Sequence, residues 1–316
     1  MKKYFFYGTV RKIIILIADF VFNNLLALAI IGFLNKRFKL IASIFVDYPV
    51  SDFYADYYSF GFFRKKVMNW TRPILSGLII FKGKLIIKFS TAKTPVDFNL
   101  PENSGNLRNF YEAIQKIKDC LNASEATFAG ILPGVLFRHR LLKDRNSSIV
   151  TACLVCNAIE KIFSEKGLPK CRPIIGLGGA GFVGRAVTEE MRKRGYVFFV
   201  VDLKENSGQW PSDLNGKPIV VLNLLSDNKG LIHYLKYLSN GSILINEAYP
   251  PPEKSFTATA KEKGVDCFHV CGAKADLVIP NFPGYYQNNQ ESRSIPCCAT
   301  PFALIKQGVK PVLRSI

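Results

Sequence analysis

The sequence predicts an α/β protein with a doubly wound parallel sheet, a smaller α/β domain ahead of it and a hydrophobic N-terminal segment. Three observations support this prediction. A glycine-rich stretch lies between a short apolar run and a helical pattern at residues 173–195. Strand-like and helix-like runs then alternate as far as Val270, which is typical of parallel sheets. The chain has 316 residues, 48% of them hydrophobic, which suits about two domains.

The charge of the chain indicates which partners to expect, and its cysteine content indicates the cellular compartment. The formal net charge is +18, and such a basic chain is expected to meet a phosphate-bearing ligand, an anionic membrane or nucleic acid. The sequence has no zinc-finger spacing and no RNP-type signature, so we predict no nucleic-acid partner. Eight cysteines are too few for a disulfide scaffold and indicate reduced thiols in the cytoplasm. Cys153 and Cys156 lack a second pair at zinc spacing, so we predict no metal.

The first predicted region, residues 1–72, is hydrophobic, aromatic and basic. The run 13–34 is long enough to cross a bilayer, for which about 20 apolar residues suffice, but it contains Asp19, Asn23 and Asn24. An aromatic zone at 45–63 is followed by three basic residues, a combination that suits lipid headgroups. We expect a membrane-contacting segment that spans the bilayer or lies in its plane. The alternative is a core helix with the aromatic residues packed beneath a loop.

The second predicted region, residues 73–165, is a small α/β substrate domain with a linking helix. Its expected elements are a hairpin at 78–89, a loop at 90–104, a helix at 106–121, a strand at 126–132 and the linking helix at 149–166. Arg138, His139 and Arg140 form either a solvated turn or a clamp for an anionic group.

The strongest motif begins the third predicted region, residues 166–300. Gly176, Gly178 and Gly181 match G-x-G-x-x-G between a strand and a helix, and Asp202 follows the next strand 21 residues after Gly181. We expect Gly176 to permit a tight turn, Gly178 to let a pyrophosphate approach the backbone and Gly181 to let the helix pack on the sheet. The predicted cofactor-binding residues are Gly176, Gly178, Gly179, Ala180, Gly181, Phe182, Val183, Asp202, Asn223 and Glu247.

Asp202 also bears on which dinucleotide binds. A carboxylate at this position can accept hydrogen bonds from both ribose hydroxyls and would repel a 2′-phosphate, so NAD is the predicted cofactor. Lys204 could reduce that repulsion, which leaves NADP open.

The carboxyl ends of the following strands are expected to form the ligand-facing rim. His269 could act as a general acid or base, and Cys267 or Cys271 could form a covalent adduct with a carbonyl or acyl group. Tyr249 or Glu247 could exchange a proton. The alternative is that the histidine and the cysteines are structural. The last predicted region, residues 301–316, is a closing helix and tail.

The order of these parts resembles a known family. The linking helix, the glycine motif and the run from Leu244 to Pro250 resemble long-chain acyl-[acyl-carrier-protein] reductases of the cyanobacterial type. More broadly they are similar to shikimate dehydrogenase-like members of the Rossmann-fold NAD(P)-dependent dehydrogenases. The resemblance covers about residues 125–305 and implies hydride transfer with a nicotinamide cofactor, near membranes, on an acyl substrate. This chain carries Ala273 to Val278, without a cysteine, where the family's nucleophile is expected.

Together these features predict an NAD(P)-dependent oxidoreductase that acts on a carbonyl or acyl substrate, which can be lipid-linked, at the cytoplasmic membrane surface. One alternative is a non-catalytic NAD-sensing or scaffold protein at the membrane. Another is a cytosolic dehydrogenase whose first 72 residues pack on the core.

Overall fold

A computed structural model describes residues 9–10, 12–14, 16–17, 20, 24–48, 73–91, 93, 95–202, 209–225, 228–249, 251–279, 294–305 and 308–316. The helices in chain order are α1 (Leu25–Phe38), α2 (Pro95–Asn99), α3 (Ser104–Cys120), α4 (Leu132–Arg138), α5 (Asn146–Glu165), α6 (Phe182–Lys193), α7 (Lys254–Glu262) and α8 (Phe302–Ile305). The strands are β1 (Ile41–Asp47), β2 (Ile74–Phe81), β3 (Lys84–Ser90), β4 (Glu125–Phe128), β5 (Ile174–Leu177), β6 (Phe198–Val201), β7 (Val220–Asn223), β8 (Ile243–Asn246), β9 (Asp266–Lys274), β10 (Leu277–Ile279), β11 (Ser294–Ile295) and β12 (Pro311–Ser315). Short 3-10 helices lie at Pro101–Asn103, Ser212–Leu214, Lys229–Tyr237 and Cys297–Ala299.

The described residues form two compact units. The first contains the residues before Arg145 together with 275–304, and the second contains 145–274 together with those from 305 onward. This division differs from the boundaries predicted at 72, 165 and 300. The linking helix α5 belongs to the second unit, where it packs on α6. Residues 275–304 belong to the first unit because β10 pairs with β2.

The first unit is built on a mixed sheet with strand order β10-β2-β3-β1-β4. The predicted hairpin is confirmed: β2 and β3 are antiparallel and joined through Lys82 and Gly83, both with positive φ. The predicted loop at 90–104 instead contains α2 and a 3-10 helix.

Strand β1 corrects the prediction for residues 1–72. It lies between β3 and β4, parallel to both, and Ile44, Phe45 and Val46 are fully buried. Phe45 and Tyr48, predicted as part of a headgroup zone, are buried in this unit, whereas 49–72 lie outside the described residues. Apolar side chains covered on both faces of an inner parallel strand give a continuous hydrophobic run, which the sequence alone does not distinguish from a membrane-facing one.

A buried ion pair joins β1 to β3. Lys88 Nζ lies 2.9 Å from Asp47 Oδ2, and the two side chains are 1% and 4% exposed. The Ser90 hydroxyl donates to the other carboxylate oxygen. The charges therefore compensate each other inside the sheet, where a lone charge would be costly.

The second unit has the doubly wound sheet that the sequence predicted. Strands β6, β5, β7, β8 and β9 lie in that order and are parallel to each other. The chain leaves β5 toward β6 and then returns to β7 on the other side, so the order reverses at β5. In open α/β sheets, ligands bind beyond the carboxyl ends of the strands at such a reversal.

Two elements toward the C-terminus are not regular α-helices. Between β7 and β8 the chain forms a 3-10 helix at Lys229–Tyr237. The expected closing helix at 301–316 is reduced to α8, and the chain then forms β12, which pairs antiparallel with β9. Pairing with the outer edge of β9 satisfies backbone groups that a helix would have left open.

The membrane prediction for residues 13–34 is tested only in part. Residues 15, 18–19 and 21–23 lie outside the described residues. Asn24, part of the polar interruption, is the N-cap of α1, and its side-chain oxygen accepts from the Leu26 N–H at 2.9 Å. Among the described residues, α5 alone is long and apolar enough to span a bilayer, and it is largely buried in the second unit.

Candidate dinucleotide-binding site

The glycine motif forms a tight turn at the carboxyl end of β5. Gly178 has φ +77°, a backbone conformation that favours glycine, and its N–H donates to Val201 O at 2.9 Å. Gly181 is the N-cap of α6, and its N–H donates back to Gly178 O at 3.0 Å. Ala180, Gly181, Phe182 and Val183 are the accessible part of this turn. A helix N-terminus that begins at an exposed glycine, at the reversal point, suits a phosphate group.

The glycines have roles that differ in part from those predicted. Gly176 lies within β5 rather than in the turn, and a Cβ there would approach the Phe198 ring to 2.5 Å. Close packing of α6 on the turn depends on Gly184, since a Cβ at that position would lie 2.3 Å from Gly178 O. At Gly181, to which the sequence assigned this role, the same distance is 3.2 Å.

Asp202 follows β6 and faces the glycine turn. Its Oδ2 accepts a hydrogen bond from the Ala180 N–H at 3.2 Å, and the residue is half-buried. Arg185, on the first turns of α6, donates from Nε to Ala180 O at 2.7 Å. The turn therefore has an anchored carboxylate at the Ala180 N–H and an exposed guanidinium at the Ala180 carbonyl. Lys204, which bears on the choice between NAD and NADP, lies outside the described residues.

An aromatic cluster near Asp202 was not predicted. Trp210 stacks on Tyr237 with ring centroids 4.6 Å apart and planes at 15°, and lies 6.1 Å from Tyr234. Burial raises the pKa of Tyr234, and the negative charge of Asp202 adds to this shift. Tyr234 and Tyr237 lie more than 30 residues after Asp202 in the sequence, so the fold is what brings them into this cluster.

A chain of polar side chains runs from the carboxyl ends of β7 and β8 to the middle of β9. Asn223 pairs with Asn246 and Asn246 with His269 in the strand register, and all three are buried. Asn223 Nδ2 donates to Asn246 Oδ1 at 2.6 Å and to Asn228 Oδ1 at 2.7 Å. Asn246 Nδ2 donates to Ala248 O at 2.7 Å. The Asn246 side chain is thus held in a single orientation.

His269, on β9, is the last residue of this row of polar side chains. Its Nδ1 lies 2.9 Å from Asn246 Nδ2 and 3.0 Å from the Asn246 backbone oxygen, so this nitrogen is engaged inside the protein. Burial lowers the pKa of the imidazole to about 4, which keeps it neutral at physiological pH. Among the described residues none bonds its buried Nε2. The Tyr249 ring meets the imidazole edge to face, with centroids 4.7 Å apart.

The other predicted catalytic residues lie in different environments. Desolvation raises the pKa of the Glu247 carboxyl to about 7, although the residue keeps some exposed surface. Burial raises the pKa of the Cys267 thiol to about 11, and this side chain packs in the core with Val221 and Leu244. Burial also raises the pKa of the half-buried Cys271. Both cysteines are therefore protonated thiols at neutral pH.

The structure thus separates the predicted residues into two groups. The glycine turn and Asp202 come together at the reversal point, whereas Asn223, His269 and Tyr249 form or adjoin the polar chain. Asn246 connects Asn223 to His269 in that chain, and it was not predicted from the sequence as a site residue. A signal was present, because β7 and β8 both end in asparagine after three apolar residues. Among the described residues no cluster of three or more His, Cys, Asp or Glu could hold a metal ion.

Comparison with known proteins concerns the fold alone. No protein-family model matches the sequence, and neither does any curated protein. Similar solved structures include a shikimate dehydrogenase in complex with NADP+, at 13% identity and a TM-score of 0.45, covering 87% of this chain and 92% of that one. A shikimate 5-dehydrogenase from Thermus thermophilus in complex with NADP(H) and shikimate has 15% identity and a TM-score of 0.39, covering 72% and 86%. A D-lactate dehydrogenase from Treponema pallidum has 12% identity and a TM-score of 0.31, covering 83% and 92%. The two shikimate dehydrogenases agree with the broader of the two resemblances predicted from the sequence.

Proposed function

We propose that this chain is an NAD(P)-dependent oxidoreductase that transfers a hydride to or from a carbonyl or acyl carbon. The observation that carries the proposal is the glycine turn at the reversal point of the parallel sheet. In it, Gly178 adopts φ +77° and the Ala180 N–H holds the Asp202 carboxylate. A turn without side-chain bulk, at a helix N-terminus, next to a carboxylate, is the arrangement that a dinucleotide requires.

The residues present fit NAD. The accessible stretch from Ala180 to Val183, at the N-terminus of α6, would hold the pyrophosphate, and Asp202 would accept hydrogen bonds from the adenosine ribose. Because its negative charge opposes a 2′-phosphate, we favour NAD over NADP. The bound nicotinamide supplies or accepts the hydride, and the protein positions the partner and manages the proton.

Glu247 is the residue best suited to exchange that proton. A carboxyl group with a pKa of about 7 can both donate and accept near neutral pH. His269 would orient the rim through the polar chain, with Tyr249 against its ring. We also propose Cys271 and Cys267 as covalent nucleophiles. Each thiol would first have to lose its proton, which burial opposes by raising the thiol pKa.

We place this reaction at the cytoplasmic membrane surface, on a substrate that can be lipid-linked. The support is the basic character of the chain and its apolar N-terminal sequence. A basic protein surface is drawn to the anionic leaflet, and an apolar segment adds affinity there.

Calorimetric titration with NADH and NADPH tests the dinucleotide site. Gly178→Ala should abolish binding, because a Cβ would lie 2.8 Å from Leu224 O and distort the turn. Gly195→Ala is the matched control, since Gly195 also has positive φ, +81°, but has open space around it. Both variants carry a backbone strain of about 1–2 kcal/mol. Equal NADH affinity in the two variants would contradict the proposal.

The non-catalytic alternative is favoured by the burial of His269 and Cys267. A protein that only senses NAD would bind NADH and turn over no carbonyl or acyl substrate. The discriminating experiment is a substrate screen, followed by the triple alanine variant at His269, Cys267 and Cys271. Turnover that survives the triple variant would remove these residues as catalysts, and turnover that never occurs would favour the sensor.

A further inference from the structure

Helix α1 exposes a broad apolar face. Leu26 is 71% exposed, Ile30 55% and Phe33 73%. Residues three and four apart lie on one side of a helix, so these three side chains form one continuous patch. Ahead of α1, Ile17 and Phe20 are 62% and 79% exposed and add to the apolar surface. Soluble monomers rarely leave apolar patches of this kind uncovered.

The opposite face of α1 is firmly held by the first unit. Asn35 Oδ1 accepts from the Ile41 N–H at 2.7 Å, and its Nδ2 donates to Leu121 O at 3.0 Å. At Gly32 the helix backbone touches α3, since a Cβ there would lie 1.8 Å from Cys120 O. The helix cannot turn its apolar face inward without breaking these bonds. The exposed patch is therefore a fixed property of the fold.

Helix α1 by itself is too short for a transmembrane span. Its 14 residues cover about 21 Å, less than the roughly 30 Å of hydrocarbon in a bilayer. Its C-terminus leads directly into β1, an inner strand of the sheet. A helix with one face on the protein and the other uncovered can instead lie in the plane of a membrane, as monotopic proteins do.

The charges around the patch match an anionic lipid surface. Lys36 and Arg37 are exposed in the last turn of α1, and Lys39 caps it. The helix contains no acidic residue. The chain as a whole carries +18. Basic side chains at the end of an apolar helix face can reach lipid phosphates while their stems cover apolar surface.

We propose that α1 docks in the plane of an anionic bilayer, with Leu26, Ile30 and Phe33 at the acyl boundary and Lys36 and Arg37 at the headgroups. The inference rests on the membrane-surface part of the proposed function and specifies the element responsible. A second copy of the chain is the competing occupant of the patch, and the experiments below distinguish it.

Flotation of the full chain tests the docking, with vesicles of phosphatidylcholine alone or mixed with phosphatidylglycerol. The unaltered protein should float with the mixed vesicles. Ile30→Asp should weaken that binding at least about tenfold, which corresponds to about 1.4 kcal/mol. Ile232→Asp is the matched control, because this isoleucine of the second unit is 52% exposed. No flotation of the unaltered protein, or an equal loss in both variants, would overturn the inference.

A reporter at Phe33 tests the depth. Phe33→Trp should give a blue-shifted emission on vesicles and be quenched best by bromine near the headgroup end of the acyl chains. The emission of the two native tryptophans is measured on the unaltered chain and subtracted from that of the variant. Strongest quenching from the bilayer centre would contradict in-plane docking. A lipid-free dimer that Ile30→Asp dissociates, without vesicle binding, would assign the patch to a second copy.

A parallel NADH titration distinguishes a failure of membrane docking from a failure of dinucleotide binding. Ile30→Asp should leave NADH affinity unchanged, since α1 belongs to the first unit and the glycine turn to the second. A chain that binds NADH but no vesicles refutes the docking alone. A chain that binds vesicles but no NADH refutes the dinucleotide function alone.

Discussion

Replacing Glu247 by glutamine should stabilise the protein at neutral and alkaline pH. Desolvation raises the pKa of this carboxyl from 4.5 to about 7, so the folded state holds its proton more tightly than the unfolded chain does. Stability therefore falls as pH rises from the unfolded value toward about 7, and the penalty is complete above that. A shift of this size corresponds to about 3 kcal/mol as an upper value, at 1.36 kcal/mol per pKa unit.

Glutamine has the same shape as the protonated acid and carries no charge at any pH. Glu247→Gln should thus match the unaltered protein near pH 4.5 and exceed it by up to about 3 kcal/mol at pH 8. Urea unfolding at several pH values measures the difference. Glu262→Gln, at the exposed end of α7, is the control, and we expect no comparable gain.

Two outcomes would refute this reasoning. A stability difference that does not change with pH would show that the Glu247 carboxyl titrates alike in both states. A destabilised Glu247→Gln at pH 8 would show that the ionised carboxylate is stabilised in the fold, contrary to its desolvation. If the carboxyl is the proton-exchanging group, the same variant should also flatten the pH profile of turnover between about pH 6 and 8.

Three further predictions concern the glycine turn, the polar chain and the buried ion pair of the first unit. Asp202→Asn should shift the ratio of NADPH to NADH affinity toward NADPH by at least about tenfold in calorimetry, because the repelling charge is gone. The imidazole nitrogens of His269 should titrate at about pH 4 in nitrogen NMR, with stability lost as pH falls from 6.5 through that value, and an ordinary titration near 6.5 would contradict its burial. Lys88→Met should cost about 3–5 kcal/mol in urea unfolding by leaving Asp47 buried and uncompensated, and neutralising both partners should recover most of it. Lys166→Met, which breaks an exposed pair, should cost no more than about 1 kcal/mol.

The sequence predicted the second unit because its signals are local. A glycine motif between strand and helix, followed by apolar runs ending at Asp202 and Asn223, specifies parallel strands and the place of the turn without long-range information. The role of Gly184 could not be predicted so directly. It depends on the distance from one helix position to the Gly178 carbonyl, which only coordinates supply.

The first unit was harder to predict because its elements depend on distant partners. Residues 41–47 are mostly apolar without alternation, and this pattern suits an inner strand as well as a membrane-facing segment. Their identity as β1 follows from pairing with β3 and β4, which come about 40 and 80 residues later in the sequence. The polar chain through Asn246 likewise needed the register of three strands. In each case the pairing of strands in the fold decided between interpretations that the local sequence pattern left open.

The pairing of β12 with β9 has a practical consequence for fragments of this chain. Strand β12 follows the segment 275–304 of the first unit in the sequence. It belongs to the second unit, where it pairs with the outer edge of β9. A shortened protein that ends before Pro311 would leave the edge of β9 from Phe268 to Ala273 open to strand addition by other molecules. Such truncations should therefore tend to aggregate during expression, and a dissected second unit would need residues 305–316 grafted back on through a linker.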